Sequence, residues 1–92
     1  MQAKLLLQKL FMSEGIQLKI FETDHSYGFE TDKDPPINIE LVTLQMSLGK
    51  ILNEVLQIKA ANVYLHQIVG LSKPSSVQMV KNFLYLLEIY GH

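Results

Sequence analysis

Apolar side chains in this chain recur at two spacings, and the switch between them marks out its elements. Leu6, Leu7, Leu10 and Phe11 fall on one side of a helix predicted over 3–13, with Gln2, Lys4, Gln8 and Lys9 breaking the apolar run and Gly15 ending it. Ile16-Gln17-Leu18-Lys19-Ile20 then alternates, the period of a half-buried strand. Thr23 to Ser26 is turn-like, and Tyr27-Gly28-Phe29-Glu30 is the returning strand of a hairpin. Thr31 to Pro36 reads as loop, with Asp34-Pro35-Pro36 capping the next helix. That helix is predicted over 37–57. Leu41, Leu44, Leu48, Leu52 and Val55 form its stripe, Val42, Ile51 and Leu56 widen it, and Thr43, Ser47, Lys50 and Glu54 lie opposite. Gly49 falls near the apolar side, where a close helix crossing explains a mid-helix glycine.

Two more helices are predicted, over 60–69 and 74–90. Between them, Gly70 suits a left-handed helix stop, Ser72 an N-cap and Pro74 a first helical turn. A short glycine-containing corner between helices is the sequence mark of a helix-turn-helix. The last helix has a polar side of Ser75, Gln78, Lys81, Asn82, Tyr85 and Glu88 and an apolar remainder wider than a surface helix needs. Part of that remainder, namely Phe83, Leu86, Ile89 and Tyr90, is expected to form an interface with another chain.

These elements predict an α+β fold, mainly α. An N-terminal helix and a β-hairpin (1–36) lead into a three-helix, helix-turn-helix-like unit (37–92), all within the single domain that 92 residues allow. At 48% hydrophobic the chain can bury a core, but a small one that an oligomeric partner would help. With no cysteine there is neither a disulfide framework nor a thiolate zinc site. The start of the chain lacks the pattern of a secretory leader, and the uncharged run Ala60–Ser72 is too short to span a bilayer, so a cytoplasmic protein without membrane association is expected.

The net charge is −1, every counted basic residue is lysine, and arginine is absent, which removes the usual bidentate reader of guanine. Residues 1–37 hold four lysines against six carboxylates, and 38–92 hold four against three. The absence of arginine speaks against tight nucleic-acid binding, and of the two parts the C-terminal one is the less unfavourable to a phosphate backbone.

Residues 64–84, from Tyr64-Leu65-His66 through Gly70-Leu71-Ser72-Lys73-Pro74-Ser75-Ser76-Val77 to Phe83-Leu84, resemble the two central helices of winged helix-turn-helix DNA-binding domains of the LexA and MarR repressor type. The resemblance covers about a quarter of the chain. It implies that Ser75, Ser76, Gln78, Lys81 and Asn82 face a major groove and that Lys73 touches phosphate, with Gln and Asn suited to adenine. His66 stands where that family usually has a small residue, and the wing hairpin that follows the recognition helix there is not among these residues; the 16–30 hairpin would be its substitute.

Other constellations are thinner. Ser47-Leu48-Gly49-Lys50 has the Ser-x-x-Lys spacing of some acyl-transfer nucleophiles without any partner motif. His25, His66 and His92 lack metal spacing, and the acids around His25 lack the calcium-loop pattern. The acidic stretch 22–34, with Tyr27 and Phe29, suits docking on a basic partner. No catalytic set, cofactor motif, metal site or small-molecule site is expected. Two functions follow as expectations: a small non-enzymatic transcription regulator that binds duplex DNA as a homodimer, or a protein–protein interaction module (an adaptor or phage-type inhibitor) using the last helix and the acidic hairpin.

Overall fold

A two-stranded hairpin cannot hide its own apolar face, and the arrangement of this chain supplies the cover. A computed structural model describes residues 2–24, 26–57 and 75–90. In chain order its elements are α1 (Gln2–Ser13), β1 (Leu18–Glu22), β2 (Tyr27–Thr31), α2 (Leu41–Val55) and α3 (Ser76–Tyr90). α1 packs on β1, β2 on α3, α3 on α2 and α2 on α1, so the elements close a ring around one core. The fold is α+β and mainly helical. The helix predicted over 60–69 and the Gly70 corner lie outside the described residues, as do His25, His66, Lys73 and His92.

In α1 the buried row is Ala3, Leu7 and Phe11, spaced by one turn, while Leu6 and Leu10 are half-buried. The helix ends in a Schellman motif: the Ile16 N–H donates to the Phe11 carbonyl and the Gly15 N–H to that of Met12, both at 2.9 Å. Gly15 sits at φ +74°, the left-handed region that side chains resist. The paired apolar residues of the motif, Phe11 and Ile16, are both fully buried.

The strands pair antiparallel with Leu18 opposite Thr31, Ile20 opposite Phe29 and Glu22 opposite Tyr27. The expected alternation holds, since Ile16, Leu18 and Ile20 turn inward. Pairing itself starts only at Leu18, because Ile16 is still engaged in closing α1. The open end is locked by a reciprocal pair: the Gln17 N–H donates to the Asp32 carboxylate at 2.8 Å, and the Asp32 N–H to the Gln17 carbonyl at 3.3 Å. At the turn, the Thr23 hydroxyl accepts from the Ser26 N–H at 2.9 Å.

α2 begins at Leu41, four residues later than the spacing predicts, and Asp34-Pro35-Pro36 does not cap it; Glu40 is the N-cap and gives no side-chain bond. The reason is a change of period. Ile37 and Ile39 are buried while Asn38 and Glu40 are exposed, the alternation of extended chain, so both isoleucines enter the core before the helix starts. Leu44, Leu48, Gly49 and Leu52 form the buried side of α2. Val42, expected to widen that side, instead faces outward.

α3 also starts later than predicted. Its N-cap is Ser75, not Ser72: the Ser75 hydroxyl accepts from the Gln78 N–H at 3.1 Å, and the Met79 N–H donates to the Ser75 carbonyl at 2.9 Å. Met79, Val80, Phe83, Leu84, Leu86 and Leu87 join the core.

The two glycines of the N-terminal part make a paired test of the helix stop. A Cβ at either Gly15 or Gly28 meets nothing within 4 Å, but only Gly15 is left-handed. Gly15→Ala should lower the unfolding free energy by about 1–2 kcal/mol, whereas Gly28→Ala should stay within about 0.5 kcal/mol of the parent, both read from urea denaturation.

Candidate interaction face

α3 shows its surroundings by turns. At about 100° per residue, Glu88, Lys81, Tyr85, Gln78 and Ile89 occupy an arc of roughly a quarter of the helix, and these are its exposed or half-exposed positions beyond the first turn, apart from Tyr90 at the C-terminal end. Tyr85 is 47% exposed and Ile89 44%. Sequence patterning alone marks this arc, except at its border.

At that border sits Asn82, expected to face outward but only 1% exposed. Its Oδ1 accepts from Gln78 Nε2 at 3.1 Å, a one-turn pair along the helix. The neighbouring positions Met79, Phe83 and Leu86 are all buried, and their packing draws Asn82 in with them. In this arrangement Asn82 cannot reach a base edge. Of the other proposed groove contacts, Ser75 and Lys81 are exposed, Ser76 and Gln78 are half-exposed, and Ser75 is occupied as the cap. Of the proposed interface residues, Phe83 and Leu86 belong to the chain's own core, α3 being packed on both β2 and α2. Ile89 and Tyr90 remain outside.

Beneath one edge of this face lies a polar knot that joins four elements. The Tyr27 backbone N–H donates to Glu88 Oε1 at 2.5 Å, tying β2 to α3. Tyr27 stands opposite Glu22 in the hairpin, and Lys4 of α1 lies 3.3 Å from the Glu22 carboxylate and 5.1 Å from the centre of the Tyr27 ring. The Tyr27 hydroxyl, then Lys4, holds the Glu22 carboxyl below its ordinary 4.5. Burial, then the bond to Glu22, pushes the Tyr27 phenol above its ordinary 10.0.

The acidic hairpin offers less than its sequence promised. Tyr27 and Phe29 pack against the core. The aromatic that it exposes is Phe21, at 48%, a residue out of phase with Ile16, Leu18 and Ile20 and so on the outward side of the strand. Among the described residues no three His, Asp or Glu side chains are placed to hold a metal ion. Among the described residues, hollows of about 130 Å³ beside Gln17, Lys19, Glu30, Thr31 and Asp32 and of about 210 Å³ beside Lys4, Leu5, Gln8 and Ile20 open on the surface. In the first, the Thr31 hydroxyl donates to the Lys33 carbonyl at 3.3 Å. Ser47 is half-buried and Lys50 exposed. Among the described residues no helix is long and apolar enough to cross a membrane. Comparison with models of protein families, with curated proteins and with solved structures found no match in any of the three.

Two measurements check this geometry. Asn82→Ala should cost about 1–3 kcal/mol of stability, the penalty for breaking up a buried polar pair, while Lys81→Ala next to it should cost less than about 0.5 kcal/mol, both by urea denaturation. Glu22, with its carboxyl held low in the fold, stabilises the protein above the ordinary carboxylate range, and that contribution is lost as pH falls through its lowered value. The stability difference between the parent and Glu22→Gln should therefore be constant above about pH 6 and shrink as the pH drops below 4.5.

Proposed function

We propose that this chain is a non-enzymatic protein-interaction domain whose docking surface is the outer face of α3: Gln78, Lys81, Tyr85, Glu88 and Ile89. One observation carries the reading. On a helix whose other sides are buried, a tyrosine and an isoleucine remain nearly half exposed on the free arc. Tyrosine is among the residues that most often dominate binding energy, because it removes a large area from water and loses little side-chain freedom. The charges around it, Lys81 and Glu88, balance, which suits a protein surface better than a polyanion.

A second reading has its own support. α3 begins with a serine cap inside the segment that resembles a recognition helix, and Gln78 and Lys81 lie on the outward arc. On that reading the chain is a DNA-binding regulator, with Ser76, Gln78 and Lys81 at the groove and Lys73, outside the described residues, at phosphate. It has little to work with. Lys81 is the one cation among the described residues of α3, and duplex affinity grows with the number of phosphates neutralised.

The test places a photo-reactive benzoylphenylalanine at position 85, in cells producing the chain, with folding checked by circular dichroism. A discrete protein adduct is the expected result, and one that disappears when Ile89 is also changed to Asp. A folded probe that forms no protein adduct overturns the reading. A mobility shift of mixed-sequence duplex at about 50 mM salt, abolished by Lys81→Ala, would transfer the face to the second reading.

A further inference from the structure

The partner of this face can be narrowed, on the strength of the interaction reading just given. We infer that it is a second copy of the same chain, paired antiparallel along α3 about a two-fold axis passing beside Tyr85. The inference comes from the order of charges along the arc. One turn before Tyr85 stands Lys81, a cation; one turn after it stand Glu88, a carboxylate, and Ile89. A two-fold axis through the central residue exchanges the two flanks, so each lysine meets the glutamate and isoleucine of the other copy while the two tyrosine rings meet at the centre. A face with the same sign on both flanks would repel itself in this arrangement; this one is complementary to itself.

The groups are available for that pairing. Lys81 is exposed, and among the described residues it has no ion-pair partner. Glu88 is half-exposed and uses Oε1 to accept from the Tyr27 N–H, which fixes the carboxylate in place; among the described residues Oε2 accepts nothing. A carboxylate already held by a backbone donor loses less freedom on meeting a cation than a free one. Tyr85 supplies apolar area and, one turn from Lys81, a ring face for the other copy's ammonium group. Pairing of this kind also covers Gln78 and Lys81, so it excludes duplex DNA from the same face.

Sedimentation equilibrium of the purified chain from about 10 μM to about 1 mM tests the inference. The mass should rise from 10.5 kDa toward twice that value. Lys81→Glu and Glu88→Lys, each alone, place like charges together and should weaken association about tenfold or more. Mixed in equal amounts they should associate again, because the mixed pair restores both oppositely charged contacts. If Glu88→Lys loses the fold with its bond to Tyr27, Tyr85→Glu takes its place and should leave a folded monomer. A parent chain that stays at one copy over the whole range overturns the inference, as does association that neither charge reversal nor Tyr85→Glu changes. The interaction reading fails separately. A monomeric parent whose position-85 probe captures a protein of another mass keeps the docking face and loses only the self-pairing, whereas a probe that captures nothing removes both.

Discussion

A hairpin of two strands has one face to bury and nothing of its own to bury it against. That constraint organises the molecule. Leu18 and Ile20 on one strand, and Phe29 on the other, turn inward, and α1 covers β1 while α3 covers β2. α2 then spans the remaining gap with Leu44, Leu48 and Leu52. Because Tyr27 of β2 and Glu88 of α3 stand 61 residues apart, the closing contact joins distant parts of the chain. Phe83, Leu86 and Leu87 of α3 are buried in the shared core, and the Glu88 carboxylate that accepts from the Tyr27 N–H gives the contact its direction. The same contact sets which side of α3 is left for solvent, so the face proposed above for docking is a by-product of how the hairpin is covered.

Much of this could be read in the sequence because it follows from spacing. The row Leu44–Leu48–Leu52 and the alternation Ile16–Leu18–Ile20 each appear in the structure with the side predicted for them. The misses share a cause: a local pattern with two valid readings. Ile37 and Ile39 fit the helical stripe that follows them, yet two residues apart they also fit extended chain, and proximity to the core decided for the latter. Ser72 and Ser75 are both sound N-caps, and the bond from the Gln78 N–H identifies the second.

The face itself was half legible. Lys81, Tyr85 and Glu88 could be placed on one side by counting residues, and so they are. Asn82 could not, because its position on the border of the arc depends on how deeply α3 beds into the core beside Phe83 and Leu86, a tertiary property. Once it is drawn in, Gln78 provides a hydrogen-bond partner, and the polar side chain is tolerated. Phe83 and Leu86 misled in the opposite direction. An apolar arc too wide for a solvated helix does imply company, and here the company is supplied on two sides by the chain itself, from α2 and from β2.

Both members of a two-stranded sheet are outermost strands, so any backbone rim left bare by the helices is open to a passing chain that seeks to extend the ladder. On the outward face of this hairpin Lys19 stands across from Glu30, both exposed. The pair is mutually attractive in its own register, and an incoming strand at either edge meets one of the two charges beside it, Lys19 along β1 or Glu30 along β2. The ribbon that organises the interior thus carries an exposed charge at the same level of each of its two edges, a feature that disfavours pairing with apolar segments.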